Sequence, residues 1–346
     1  MKGQKDLLGG YPLVIWGAGA MGGSIGAALQ REGVEVLFVD KVLEHIRAIN
    51  HRGLRISGPV ADYSVAARAV HASDLAGSFP VIFLCVKAHH TSQAMNELAS
   101  HLDADGFVVS IQNGLCELEI AERLGQSRTV GAFVNFGADY MGPGVIHRGN
   151  RGAVVVGEMD GSMTPRVREV HGLLRLFEPG AVLTENIMGY LWGKLAYASL
   201  LFATALTDDS IAEILDEEAF RPILTSLARE TVSVALGGGV RLEGFDGFDP
   251  EAFFPDEPDV RAEESLDRLV AFNRASAKTH SGIWRDLAVR KRPTEVDAQL
   301  GWVVRLGEER VVPTPLTRAL IRQIHEIESG ARRLSRGNLY ALGEGI

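Results

Sequence analysis

LVIWGAGAMGGSIGAALQR, residues 13–31, is the stretch that decides the fold of the first half of the chain. Its first four residues form an apolar run that ends abruptly in glycine-rich sequence, and from Met21 onward apolar residues recur at the spacing of a helix. The segment therefore predicts a buried strand, a tight glycine-rich turn and a helix, in that order.

The turn has the GxGxxG spacing of a dinucleotide-binding motif. Gly17 permits the tight turn, Gly19 lets the backbone approach a pyrophosphate, and Gly22 lets the helix pack closely on the strand. The helix N-terminus supplies backbone amides and the positive end of the helix dipole for the phosphates. A compact strand–helix connection without a ligand is the alternative. We expect the cofactor to be bound by the whole turn: Gly17, Ala18, Gly19, Ala20, Met21 and Gly22.

A second apolar strand, predicted from Val34 to Val39, stops at Asp40. At that position an acidic side chain accepts hydrogen bonds from a ribose 2′-hydroxyl, and its charge repels a 2′-phosphate. Asp40 therefore favours NAD over NADP as the cofactor, whereas Lys41 directly after it offsets part of the repulsion. The alternative is that Asp40 caps a helix or closes a turn and contacts no ligand.

Strands and helices are predicted to alternate through the rest of the first half. The strands cover 81–86, 106–111, 130–136 and 153–157, and the helices cover 92–102, a segment ending at 124, and 165–177. Thr91 is placed to cap the first of these helices. The alternation predicts an α/β, doubly wound parallel sheet of Rossmann type, with its ligand crevice beyond the carboxyl ends of the strands.

Two polar residues follow strands of this predicted sheet. We expect Lys87 and Asn113 to line the crevice and contact the cofactor, and Asn113 to contact the substrate as well. The alternatives are that Lys87 is a solvated surface residue and that Asn113 and Gly114 form an ordinary turn.

The length and composition of the chain limit the number of domains, the kinds of partner and the compartment. At 346 residues the chain predicts two domains, a dinucleotide-binding domain over 1–185 and a helical domain over 186–346. The formal charge of −9 argues against nucleic acid as a partner. Cys85 and Cys116 lie in apolar stretches, which argues for a reducing compartment and against a disulfide framework. The first ten residues lack the apolar core of a signal peptide and predict a disordered leader. We therefore expect a cytoplasmic protein. His89 and His90 lack further ligands at metal-site spacing, so we assign no metal.

Residues 186–207 are almost entirely apolar, and Lys194 is their only charged residue. A membrane span is the alternative to a buried helix, but a central lysine and several Gly, Ser and Thr residues argue against it. Burial destabilises an ammonium relative to the amine, so such a lysine can release a proton near neutral pH and protonate a carbonyl oxygen as hydride reaches the carbon. The other interpretation is a lysine whose charged end reaches solvent at the helix edge.

Five segments together resemble the ketopantoate reductase family. They are GAGAMG at 17–22, VKAHHT at 86–91, IQNG at 111–114, WGKLAY at 192–197 and RDLAVRKRPTEVD at 285–297. The resemblance implies a Rossmann domain followed by an all-helical domain, and reduction of the ketone of 2-dehydropantoate by NADPH. It also implies that Lys194 is the general acid, and that Glu295 orients this lysine or contacts substrate and cofactor.

The chain departs from the family pattern where substrate would bind. The family's lysine helix carries two asparagines, and Ala198 and Phe202 stand at those positions. Loss of such amides favours a different substrate. For the family's substrate serine, Ser281 is the best match, with His280 and Arg285 as alternatives. The guanidinium of Arg285 suits a substrate carboxylate, and the equal alternative is a salt bridge to Asp286 or to a surface glutamate.

We therefore predict an NAD(P)H-dependent reductase of a small 2-oxo acid. Asp40 favours NAD, whereas the family favours NADP. Two other functions stay open: a dehydrogenase of sugar-acid or opine type, and a dinucleotide-binding sensor without catalysis. The long apolar helices of the second half make a homodimer a reasonable expectation.

Overall fold

A computed structural model describes residues 7–275 and 279–344. The chain divides into two compact units, Met1–Ile187 and Met188–Ile346. The first is α/β and the second is helical, which confirms the predicted fold class. Residues 1–6 of the predicted leader lie outside the described residues, but Leu8 is buried in the core, so the prediction of a disordered leader is wrong at that position.

The first unit contains twelve strands and five helices among its described residues. In chain order they are β1 (Leu13–Trp16), α1 (Ala20–Arg31), β2 (Val36–Asp40), α2 (Leu43–Arg52), β3 (Leu54–Ser57), β4 (Tyr63–Val65), β5 (Arg68–His71), β6 (Phe79–Leu84), α3 (Thr91–Leu98), β7 (Leu102–Ser110), α4 (Cys116–Leu124), β8 (Thr129–Val134), β9 (Gly137–Gly142), β10 (Val145–Asn150), β11 (Val154–Glu158), α5 (Pro165–Phe177) and β12 (Val182–Leu183).

Eight of these strands form one sheet in the order β5-β2-β1-β6-β7-β8-β11-β12. Neighbouring strands are parallel except β8 and β11, which are antiparallel. The chain winds in opposite directions on the two sides of β1, so the topological switch point lies between β1 and β6. Ligands of doubly wound sheets bind outside the carboxyl ends of the strands at such a point.

A second sheet, in the order β4-β3-β10-β9, covers the opposite face of α1. Glycines let α1 fit between the two sheets. A Cβ on Gly26 would lie 2.5 Å from the ring of Phe38 in the main sheet, and one on Gly23 would overlap the side chain of Ile146 in the second sheet. Helix α1 is therefore packed on both sides.

The region after β6 departs from the sequence prediction in two details. Thr91 does not cap α3: its buried hydroxyl donates to the Ala88 carbonyl at 2.7 Å and accepts from the side-chain amide of Gln112 at 2.8 Å. The helix ends at Leu98 rather than at residue 102, because Leu102 already pairs with Phe79 as the first residue of β7.

The second unit consists of helices. In chain order they are α6 (Ile187–Thr204, whose first residue belongs to the first unit), α7 (Ile211–Asp216), α8 (Arg221–Gly237), α9 (Asp259–Ala275), α10 (Gly282–Trp284), α11 (Val296–Glu309), α12 (Pro315–Glu328) and α13 (Gly337–Gly343). A π-helical segment, Arg285–Arg290, follows α10. Within the described residues, no helix combines the length and the hydropathy needed to cross a membrane.

Candidate active site

The glycine-rich turn joins β1 to α1 at the switch point of the main sheet. Gly17 has φ +104°, and a Cβ there would lie 2.8 Å from the Val86 amide nitrogen that follows β6. A Cβ on Gly22 would overlap the Gly17 carbonyl oxygen. For Gly19, by contrast, no described heavy atom lies within 4 Å of the Cβ position. Gly17 and Gly22 thus allow the turn to pack closely, and Gly19 borders open space.

The start of α1 has the features that a pyrophosphate site requires. Gly19 is the N-cap residue, so no side chain occupies the end of the helix. The first backbone amides of a helix have no carbonyl partner within it, and they carry the positive end of its dipole. With open space at Gly19 and partly exposed Ala20 and Met21, the turn fits a dinucleotide diphosphate.

Asp40, the last residue of β2, holds this turn. Its Oδ2 accepts from the Ala18 amide at 2.9 Å, and its Oδ1 accepts from the Val42 amide at 2.9 Å. Asp40 therefore closes a turn, as the alternative interpretation of the sequence stated. A carboxylate oxygen accepts more than one hydrogen bond, so acceptor capacity is left for a ribose hydroxyl.

A cationic group lies next to Asp40. The Lys41 ammonium lies 3.1 Å from Nε2 of His90, whose ring packs edge-on against His89 at 4.2 Å between centroids. Among residues 7–275 and 279–344, no group of three or more His, Cys, Asp or Glu side chains is arranged to hold a metal.

The loops after β6 and β7 carry Lys87 and Asn113, both partly exposed. The buried side chain of Gln112 joins the two loops. Its amide nitrogen donates to the Val86 carbonyl at 3.0 Å and to the Thr91 hydroxyl at 2.8 Å. Sequence reasoning missed this role of Gln112, although the residue lies within the IQNG segment.

Lys194 lies on α6 along a partly exposed stripe in the second unit. The stripe comprises Tyr190, Lys194, Tyr197, Ala198 and Leu201. The residues between them are buried, and so is Phe202 directly after Leu201, at 0% exposure. Lys194 is thus partly exposed on a largely buried helix, because the helix is apolar on every face yet only some faces enter the core. Of the two residues that replace the family's asparagines, Ala198 lies on the stripe and Phe202 lies off it.

A tyrosine–asparagine pair that the sequence did not predict borders this stripe. The buried Asn273 on α9 donates to the Leu269 carbonyl at 2.8 Å and contacts the Tyr197 hydroxyl at 3.5 Å. Burial raises the pKa of Tyr197, partly opposed by the hydrogen bond from Asn273. The hydroxyl therefore keeps its proton at neutral pH and can donate a hydrogen bond. The only sequence signal for a role of Tyr197 is its helical spacing from Lys194.

Ser281 and Arg285 lie one helical turn apart. Ser281 is buried and caps α10, its Oγ accepting from the Trp284 amide at 3.1 Å. Arg285 is partly buried and begins the π-helical segment. His280, the other candidate, packs its ring on Trp284 at 4.1 Å and contacts the Asp208 carbonyl through Nε2 at 3.2 Å. The neighbouring Asp286 pairs with Arg290 and Arg292.

Glu295 is the N-cap residue of α11 and is partly buried. Its backbone is fixed by Thr294, whose amide and hydroxyl both donate to Glu328 on α12, at 2.7 and 2.8 Å. The Thr294 hydroxyl also accepts from the Val296 amide at 3.2 Å. No sequence pattern pointed to Glu328, which lies 34 residues from Thr294.

Comparison with known families accounts for both units. The profile described as ketopantoate reductase PanE/ApbA matches residues 13–161, and the one for the C-terminal part of the same family matches residues 186–328. The chain belongs to the ketopantoate reductase family. The predicted resemblance is thereby confirmed, and the chain is an oxidoreductase that depends on a nicotinamide dinucleotide.

Curated members of the ketopantoate reductase family match along most of their length. The 2-dehydropantoate 2-reductase of Archaeoglobus fulgidus is 29% identical over 319 residues, which cover 91% of this chain and 97% of that protein. The enzyme of the same name from Pyrococcus horikoshii is 29% identical over 233 residues, covering 67% of this chain and 75% of that protein.

Solved structures share the fold. A ternary structure of D-mandelate dehydrogenase with NADH and anilino(oxo)acetate has a TM-score of 0.80 at 21% identity, covering 92% of this chain and 98% of the other. A PanE/ApbA family ketopantoate reductase from Ralstonia eutropha has a TM-score of 0.77 at 24% identity, covering 92% and 99%.

Proposed function

We propose that this protein reduces the ketone of a small 2-oxo acid, with Lys194 as the proton donor. The observation that carries the proposal is the place of Lys194, an ammonium on a partly exposed stripe of a helix whose other faces are buried. A lysine ammonium is one of the groups that serve as general acids, and on a partly exposed stripe it is accessible to a bound ligand.

On this proposal the glycine-rich turn and the start of α1 hold the cofactor diphosphate, and Asp40 accepts from the adenosine ribose. The bound nicotinamide dinucleotide supplies the hydride. Lys87 and Asn113 line the same edge of the main sheet and position the cofactor and substrate. We infer a preference for NADH, because the Asp40 carboxylate repels a 2′-phosphate more directly than the Lys41 ammonium, engaged with His90, attracts it.

On the substrate side, the Lys194 Nζ donates its proton to the carbonyl oxygen, and Glu295 orients the ammonium. The Ser281 Oγ already accepts from the Trp284 amide, so its hydrogen stays available for a substrate oxygen. Arg285 suits the substrate carboxylate, because a guanidinium offers two parallel donors.

The residues near Lys194 restrict the substituent of the 2-oxo acid less than they restrict its ketone and carboxylate. Ala198 and Leu201 give the stripe an apolar part without a side-chain amide, which favours a 2-oxo acid with a hydrophobic side chain over one with a hydroxyl group. The second candidate function is therefore oxidation and reduction of an aryl-substituted acid, the reaction of the D-mandelate dehydrogenase that shares the fold.

The experiment is a substrate panel run with NADH and with NADPH. It contains 2-dehydropantoate, phenylglyoxylate and aliphatic 2-oxo acids of increasing size, and it follows cofactor oxidation. Oxidation of NADH by the acids with apolar substituents supports the proposal. Faster turnover of 2-dehydropantoate than of the other acids would show that the protein uses the substrate named for its relatives. Cofactor binding without oxidation across the panel would identify a sensor.

A further inference from the structure

A buried histidine is attached to the glycine-rich turn. His45 on α2 is 1% exposed, and its Nε2 lies 2.8 Å from the Ala18 carbonyl oxygen. Its Nδ1 accepts from the Gly144 amide at 2.9 Å. A backbone amide only donates and a carbonyl only accepts, so the ring is in the tautomer with its proton on Nε2.

The contact fixes the orientation of one peptide group. The Ala18 amide is held by Asp40 and the Ala18 carbonyl by His45, so both sides of this residue are restrained. In a trans peptide the carbonyl and the next amide point in opposite directions. Drawing the Ala18 carbonyl toward His45 therefore turns the Gly19 amide away from this buried ring. No described heavy atom lies within 4 Å of the Cβ position of Gly19, so the residue borders open space.

This restraint matters because glycine lies on both sides of Ala18. Peptide groups next to glycine rotate with little steric cost, since glycine has no Cβ. If the group between Ala18 and Gly19 rotated, a carbonyl oxygen instead of an amide would point toward the diphosphate. The partial negative charge of that oxygen would repel a phosphate that the amide attracts.

We propose that His45 is a positioning residue for the cofactor: it holds the Ala18–Gly19 peptide group so that the Gly19 amide points toward the diphosphate. It contacts no reacting atom.

The ring of His45 is itself fixed from the second sheet. Gly144 lies in the turn between β9 and β10, and the ring of Tyr140 packs edge-on against His45 at 5.1 Å between centroids. Because Nδ1 is tied to this turn, the imidazole cannot rotate without breaking both hydrogen bonds. The small second sheet thereby becomes part of the cofactor site, although it contributes no ligand of its own.

Three substitutions separate the two hydrogen bonds. His45→Gln places an amide nitrogen near the position of Nε2 and can keep the bond to Ala18. His45→Asn places an amide oxygen near the position of Nδ1 and keeps only the bond to Gly144. His45→Phe fills the volume and keeps neither. His171→Phe is the matched control, since the His171 Nε2 also contacts a backbone carbonyl at 2.8 Å, that of Ala181, away from the turn.

The readout is the dissociation constant of NADH by calorimetry, beside the melting temperature. The proposal rests on dinucleotide binding and needs no substrate, so its failure is distinct from a failure of the proposed reaction. We expect His45→Phe and His45→Asn to weaken NADH binding about tenfold, the effect of one lost hydrogen bond, and His45→Gln to bind within about threefold of the wild type.

The melting temperature separates positioning from stability. We expect His171→Phe to lower the melting temperature while leaving NADH affinity unchanged. If His45→Asn binds NADH as tightly as the wild type, or if His171→Phe weakens binding as much as His45→Phe does, the proposal is overturned. His45→Asn keeps the test decisive if the phenylalanine variant does not fold.

Discussion

The glycine-rich turn and the Lys194 stripe are built in opposite ways. The turn presents backbone amides, and its shape depends on absent side chains at Gly17 and Gly22 and on two side chains that hold Ala18. The stripe presents side chains on a regular helix, so one substitution changes its chemistry without moving the backbone. A binding site formed by backbone amides tolerates few substitutions, because they alter its shape. A binding site formed by side chains can acquire a new substrate through single substitutions.

The strongest way to test this contrast is to remove Lys194, the proposed proton donor. Lys194→Ala should lower kcat by about a thousandfold, because general acid catalysis contributes on that order, while the NADH dissociation constant stays unchanged. Steady-state kinetics and calorimetry measure the two quantities. Lys194→Met is the control that keeps the length of the side chain. Near-normal turnover in either variant would remove Lys194 from the mechanism.

In the glycine-rich turn, adding a single methyl group to a glycine should weaken NADH binding. Gly22→Ala should weaken NADH binding about a hundredfold and lower the melting temperature, because the new Cβ overlaps the Gly17 carbonyl. Gly19→Ala places its Cβ in open space, so the melting temperature should hold while NADH binding falls. If Gly19→Ala binds NADH normally, the diphosphate does not approach the turn at this residue.

Charge at the end of β2 should set cofactor choice. Asp40→Asn should shift the ratio of NADPH to NADH affinity toward NADPH by about tenfold, because a partly screened repulsion at short range is removed. The ratio is the proper quantity, since Asp40 also holds the Ala18 amide and its loss weakens both cofactors. An unchanged ratio would mean that the carboxylate does not face the ribose.

On the stripe, a smaller effect should appear in substrate choice. Ala198→Asn should raise kcat/KM for 2-dehydropantoate about tenfold, because an amide would again be available to a polar substrate group. Ala198→Leu adds bulk without an amide and should not raise it. Equal responses to the two substitutions would show that size alone, rather than hydrogen bonding, acts at this position.

The sequence predicted the parts of this molecule that rest on local pattern. The strand–turn–helix at Leu13, the apolar strands of the main sheet and the lysine of α6 all follow from apolar runs and glycine spacing. The second sheet was missed because its strands are only three to six residues long. The alternation of apolar residues in β3, LRIS, is too short to be distinctive, and β9, GADYMG, carries glycine and polar residues instead of alternating apolar ones.

Contacts between distant residues were equally out of reach. His45 meets Ala18 across 27 residues and Gly144 across 99, and a single histidine in a polar helix gives no sign of either partner. Asn273 likewise meets Tyr197 across 76 residues. Periodicity identifies which face of an element is buried, but it does not identify the partner on that face.

We propose that hydride passes from the nicotinamide to the carbonyl carbon of a 2-oxo acid. The most direct measurement uses NADH deuterated at the transferable position, incubated with the protein and the panel of 2-oxo acids, and analyses the acids by mass spectrometry and NMR. We expect deuterium on the hydroxyl-bearing carbon of a 2-hydroxy acid, in greatly reduced amount with the Lys194→Ala variant. Binding of NADH without label in any acid would contradict it.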